Sequence, residues 1–189
     1  DIHLHKVIPF GAGLGGGSAD AAYTLRMLRD MFHLPLDDKQ LATLAAKLGA
    51  DCPFFIYNRP LIATGIGDCF AKTDLSLKGK YIVLVKPSIA ISTAEAYAHV
   101  TPQTPLNPLE EALHKELTEW KHCIANDFEK SLFPTHPRIA AIKQHLYDMG
   151  AIYASMSGSG SSVFGIFDQP ITAGDTFDDC FVWAGECKV

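Results

Sequence analysis

The sequence is short of positive charge, of paired cysteines and of long apolar runs, and each shortage removes a class of function. Lys and Arg number 16 against 21 Asp and Glu, for a net charge of −5. No Lys/Arg run or aromatic-basic interleaving marks a local patch, which argues against a nucleic-acid surface. No apolar stretch approaches membrane-spanning length and no signal peptide is visible, so the expected location is the cytoplasm, away from the membrane. Cys52, Cys69, Cys123, Cys180 and Cys187 are odd in number and contain no Cys-x-x-Cys pair. Neither a disulfide framework nor a structural zinc site is indicated, and the thiols are expected to be reduced. His3 and His5 share a strand face without a third ligand, and His114, His122, His136 and His145 follow no ligand spacing.

Glycine is where the chain is rich. Gly11-Ala12-Gly13-Leu14-Gly15-Gly16-Gly17 places five glycines in seven residues between a strand pattern and a helix pattern. Backbone without Cβ atoms takes positive φ and approaches a ligand closely, so successive N–H groups converge on an anion. Ser18 is the expected N-cap of the Ala-rich helix that follows, whose free N–H groups and positive end add to the attraction for phosphate. A flexible linker is a poor alternative, because a capped amphipathic helix follows at once. The P-loop of nucleoside triphosphatases needs Gly-Lys-Ser/Thr, and here no Lys follows the glycines. Gly11-x-Gly13-x-x-Gly16 matches the dinucleotide fingerprint, but a second helix follows where that fold needs a strand.

With 189 residues, 48% hydrophobic and 20% charged, the chain can bury one large core or two small ones. Ile2, Leu4, Lys6 and Ile8 alternate with His3, His5 and Val7 as in a strand, for which a pairing segment N-terminal to Asp1 is expected. Ala22, Leu25, Leu28 and Phe32 form a helical stripe ended by Pro35. Asp37 caps the next helix, with Leu41, Leu44, Ala45 and Leu48 on its buried face and Gly49 as its C-cap. That helix delivers Gly49-Ala50-Asp51-Cys52-Pro53-Phe54-Phe55, in which Asp51 alone reads as a solvated turn aspartate. Leu61–Asp68 and Cys69–Ala71 form a hairpin turning at Gly65 and Gly67. Near Gly79 a domain boundary is expected, and Tyr81–Val85 is a strand covered on both faces. After the Pro-rich loop 102–108, opened into a helix by Asn107-Pro108, helices are expected over 108–121, 125–132 and 137–149. Ser157-Gly158-Ser159-Gly160-Ser161-Ser162 is a second small-residue loop leading into a strand. The closing Phe181–Lys188 is a last strand.

Together, Pro9-x-Gly11-x-Gly13-Leu14-Gly15-Gly16-Gly17-Ser18-x-x-Ala21-Ala22, Gly49-Ala50-Asp51-Cys52-Pro53 and the Ser157–Ser162 loop resemble the motifs of the GHMP kinases. The triple glycine and the Gly-Ala-Asp-x-Pro segment are most similar to the branch that phosphorylates diphosphocytidyl methylerythritol, over about residues 5–167. The resemblance implies an α+β, two-domain fold. Residues 1–78 would be the remainder of a ribosomal protein S5 domain 2-like, ATP-binding domain, and 79–189 a ferredoxin-like C-terminal domain. It implies ATP and Mg²⁺ as cofactors and a small-molecule acceptor. ATP would be bound by Lys6, Pro9, Gly11, Gly13, Leu14, Gly15, Gly16, Gly17 and Ser18. Asp51 would be the catalytic carboxylate, and Thr93, Tyr97, Gly158 and Gly160 would approach the acceptor, with Tyr97 stacked on the cytosine. From the residues alone, Thr93 is equally an N-cap, Tyr97 a core aromatic, and Lys6 an ordinary strand lysine. The superfamily's first motif, with a lysine that pairs with the catalytic aspartate, is expected N-terminal to Asp1. Another GHMP small-molecule kinase, or a nucleotide-binding module without activity, remains the alternative.

Overall fold

The computed structural model describes residues 1–98, 100–101, 108–172 and 174–188. They form two units: Gly15–Ser76, and Leu77–Lys188 together with Asp1–Leu14. The Pro-rich loop over 102–107, with the Asn107 of the expected helix start, lies outside the described residues.

The unit Gly15–Ser76 begins with α1 (Gly16–Met31), and Ser18 is not its cap. Gly15 holds that position at φ 63, a left-handed conformation that a serine adopts only under strain, so the helix starts earlier and Ser18 falls within its first turn. α2 (Asp38–Ala45) starts as expected. The Asp37 carboxylate accepts from Gln40 N–H at 2.7 Å, and the Gln40 side chain accepts from Asp37 N–H at 3.0 Å. Such a reciprocal cap contributes about 1 kcal/mol. The end differs from expectation, because the chain tightens through Lys47 N–H to Leu44 O and Leu48 N–H to Ala45 O. These short-range bonds satisfy the terminal carbonyls without a left-handed glycine, so Gly49 is not the C-cap. Leu41 and Ala45 are buried as the stripe requires, whereas Phe32, Leu44 and Leu48 are exposed. α3 (Cys52–Tyr57) contributes Cys52 and Ile56 to the core formed with Ala22, Leu41, Ala42 and Ala45. β1 (Leu61–Thr64) and β2 (Cys69–Lys72) pair antiparallel around Gly65 and Gly67, both at positive φ.

The other unit is built on one sheet. β3 (Tyr81–Pro87), β4 (Tyr153–Met156), β5 (Val163–Phe167) and β6 (Cys180–Glu186) lie in the order β4-β5-β3-β6, every pair antiparallel. Numbered within the unit this order is 2-3-1-4, the ferredoxin-like arrangement, with a 3₁₀ turn at Gly174–Phe177 in place of the second crossover helix. Val83 and Val85 are almost fully buried because β3 is interior in the sheet. Between β3 and β4 run α4 (Thr93–Ala98), α5 (Leu109–Leu113), a 3₁₀ turn at Leu117–Glu119, α6 (Trp120–Cys123), α7 (Asp127–Leu132) and α8 (Pro137–Asp148). The expected helix over 108–121 is therefore broken, since Glu116 takes extended ψ 140. α8 lays Ile139, Ile142 and Leu146 on the core, and Gly150 at φ 97 takes the chain out of it.

The strand expected over residues 2–8 does not form. Ile2, Leu4, Val7 and Ile8 are exposed, and no strand among the described residues pairs with them. Alternation fixes which side chains share a face, but a strand exists only where its N–H and C=O groups are paired. No helix among the described residues is long and apolar enough to cross a membrane.

Candidate functional site

In the sheet-bearing unit, the two small-residue loops are seated against each other. Gly13 stands at φ 71, and a Cβ there would run into the Ser157 carbonyl oxygen and lie 2.7 Å from that of Gly160. No other residue fits. The Ser157 hydroxyl donates to Gly13 O at 2.8 Å, and Ser162 N–H donates to Ala12 O at 3.1 Å. At Gly158, φ 52, a Cβ would lie 3.1 Å from the Gly13 carbonyl oxygen, and at Gly160, φ 94, it would crowd the side-chain ends of Ile91 and Met156 at 3.0 and 3.1 Å. Gly11 is also at positive φ, 60, but faces open space. Three residues expected at the site, Gly13, Gly158 and Gly160, thus share one cradle of backbone, and Gly11 lies on the chain leading into it.

Side chains hold this cradle from below. Glu129, buried on α7, accepts from Met156 N–H at 2.8 Å and from the Ser155 hydroxyl at 3.3 Å, and its other oxygen pairs with Lys143 Nζ at 2.5 Å. Asn126 donates to Met156 O and Gly158 O. The Ser161 hydroxyl donates to Ile89 O at 2.5 Å, a carbonyl that also accepts from buried Lys86 Nζ at 3.0 Å. Beside them Tyr153 is buried, which pushes its phenol pKa up to about 12 against the opposing effect of Ser155. None of Asn126, Glu129 or Ser157 was expected at the site. Asn126-x-x-Glu129 carries the signature of a helix start, which in sequence conceals its reach across to the loop.

Thr93 and Tyr97 lie on α4 of the same unit. Ser92, not Thr93, caps that helix, accepting from Glu95 N–H at 3.1 Å, so Thr93 is exposed in the first turn without a capping role. Tyr97 is not a core aromatic. It is 61% exposed and leans edge-to-face on Phe128 at 4.9 Å, next to Asn126. Lys6 sits 5.1 Å from the centre of the Phe10 ring, outside any strand, with Pro9 between them. Leu14 is the last residue of the glycine run in this unit.

In the unit Gly15–Ser76, α1 presents its N-terminus without a side-chain cap and without an acidic residue in its first turn. Gly15 stacks on Phe55, whose ring atoms would lie 2.9 Å from a Cβ. Gly16, Gly17 and Ser18 follow as the first turn, and Gly17 is open to solvent. The uncapped, positively polarised end fits a polyanion. Asp51 opens α3, exposed, its carboxylate making no capping hydrogen bond. One oxygen faces the hairpin turn, 3.7 Å from where a Cβ on Gly67 would be. A carboxylate held at a helix start, yet not used to cap it, is open to accept from a ligand hydroxyl.

Residues 1–59 match the GHMP kinases N terminal domain and residues 109–177 the GHMP kinases C terminal domain. Proteins named 4-diphosphocytidyl-2-C-methyl-D-erythritol kinase from Parabacteroides distasonis and Bacteroides fragilis are each 53% identical to the chain, over 98% and 100% of its length and 69% of theirs. The chain belongs to this GHMP kinase family. A crystal structure of 4-(cytidine 5'-diphospho)-2C-methyl-D-erythritol kinase superposes with TM-score 0.82 at 32% identity, covering 98% of this chain and 69% of that one. Homoserine kinase from Cytophaga hutchinsonii, at TM-score 0.69 and 16% identity over 96% of this chain and 68% of that one, shares the fold. The GHMP kinases are ATP-dependent phosphotransferases.

Proposed function

We propose that this chain carries out the ATP-dependent phosphorylation of the 2-hydroxyl of 4-diphosphocytidyl-2-C-methyl-D-erythritol, a step of non-mevalonate isoprenoid precursor synthesis. The observation that carries this reading is the 53% identity, over essentially the whole chain, to proteins bearing that kinase's name. The geometry supports it. Phosphoryl transfer asks a protein for positioning and for neutralisation of charge more than for covalent help.

Bound Mg·ATP supplies the phosphoryl group and much of the charge neutralisation. Backbone N–H groups of Gly11–Ser18 and the α1 terminus bind the phosphates, with Lys6 and Pro9 on the nucleotide side. Asp51 orients the acceptor hydroxyl and takes its proton as the oxygen bonds to the γ-phosphorus and the bond to ADP breaks. Thr93 and the Gly158–Gly160 backbone meet the acceptor, and the exposed Tyr97 ring stacks on its cytosine. A reaction consuming ATP suits the cytoplasm. The test is ADP release from Mg·ATP by the natural protein with diphosphocytidyl methylerythritol, using mevalonate and homoserine as control acceptors. Release with the first acceptor alone is expected; release with a control alone would move the assignment to another GHMP kinase.

A further inference from the structure

One carboxamide joins α7 to the second loop. The Asn126 oxygen accepts from Phe128 N–H at 3.0 Å and starts α7, while its nitrogen donates to Met156 O at 2.8 Å and to Gly158 O at 2.7 Å. A helix start needs only an acceptor, and Ser, Thr or Asp would serve it. The two donors are spent elsewhere, on the end of β4 and on the loop. β4 is an outer strand of its sheet, and α7 takes both backbone groups of its last residue: Glu129 receives the Met156 N–H and Asn126 holds the Met156 C=O. The grip then continues two residues further to Gly158, where a Cβ would lie 3.1 Å from the Gly13 carbonyl oxygen. Phe128, whose N–H the Asn126 oxygen receives, carries the Tyr97 ring.

We propose that Asn126 is a positioning residue, which sets the Gly158 peptide against Gly13 and so fixes the backbone that the acceptor meets. The kinetic part of this proposal rests on the kinase reading given above; the structural part does not. Asn126→Asp separates the two uses of the side chain. Aspartate keeps the acceptor that starts α7 but has no N–H, and it turns an oxygen toward two carbonyl oxygens. Asn126→Ser also keeps a cap, and is too short to reach the loop.

The measurement is amide hydrogen exchange of the natural protein, residue by residue, with steady-state kinetics on the same samples. In Asn126→Asp, exchange at Gly160 and Ser162, whose N–H groups bond Ser157 O and Ala12 O, is expected to rise by about tenfold or more while Ile142 and Leu146 on α8 keep their rates. The KM for the diphosphocytidyl acceptor is expected to rise by roughly tenfold with kcat changed less than about twofold. Should the aspartate variant not fold, Asn126→Ser carries the same expectations. Unchanged exchange at Gly160 and Ser162, or acceleration spread equally to α8, would overturn the proposal. A wild-type protein that transfers no phosphoryl group would end the kinase reading alone, and the exchange result would still decide the role of Asn126.

Discussion

Adding one methyl group to Gly13 should cost far more than adding it to Gly11, although both residues sit in the same left-handed region. Their φ values are 71 and 60. For an L-residue that conformation costs roughly 1–2 kcal/mol, and Gly11→Ala should pay little else, since nothing lies within 4 Å of its Cβ position. Gly13→Ala adds a collision with two backbone oxygens, of Ser157 and Gly160, neither of which can rotate away as a side chain would. The loop must back off. That breaks the Ser157 hydroxyl bond to Gly13 and the Ser162 N–H bond to Ala12, each about 1 kcal/mol. The expected loss is about 3–4 kcal/mol for Gly13→Ala against about 1–2 for Gly11→Ala. Urea unfolding of the two variants beside wild type measures the difference. Equal losses would refute the reasoning, because they would mean that the two loops are not seated on each other in solution.

Asp51→Asn should retain ATP binding by calorimetry while kcat falls by about a hundredfold or more, and an unaltered kcat would remove Asp51 from proton transfer. Tyr97→Ala should raise the KM of the cytidine-bearing acceptor far more than that of ATP; parallel rises would count against stacking. Burial holds the Tyr153 phenol neutral to about pH 12, while the unfolded chain loses that proton near 10.0. The folded pKa is the raised one, so this contribution is complete below pH 10 and is lost between 10 and about 12, by up to about 3 kcal/mol. Tyr153→Phe should flatten that part of the stability profile; an unchanged alkaline slope would show that the phenol titrates normally.

Much of the architecture was legible because local chemistry and burial agree. Tyr81–Val85 reads as a strand covered on both faces from its unbroken apolar run and does form β3, with Val83 and Val85 buried and Tyr81, Ile82 and Leu84 half-buried; Gly65 and Gly67 read as a hairpin turn and both take positive φ; Asp37 caps its helix as its type allows. Reading failed where the answer lay with a distant partner. Residues 2–8 alternate correctly yet join no strand among the described residues, because alternation does not supply a neighbouring ladder. A run of five glycines hides its own helix start, so Ser18 looked like the cap that Gly15 is. At the candidate site the glycines were visible as glycines. The reason Gly13 must be one was not, since it lies in the carbonyls of Ser157 and Gly160. Asn126 and Glu129 were legible only as helix-start residues, because a sequence shows a side chain's type and not the far end of its hydrogen bond.

The seat of Gly13 on Ser157 also sets an order in time. The two residues are 144 positions apart, so the hydrogen bond that joins them closes a loop of that length. Contacts of that separation form slowly and late, whereas α1, α2 and α3 find their partners among near neighbours. On the ribosome the glycine run emerges before its partner loop and must wait, as exposed backbone, until Ser162 has left the exit tunnel and β4 and β5 have paired. The cradle is therefore completed only once the second loop has been made, and a nascent chain stalled short of Ser157 would carry the glycine run without the partner that shapes it.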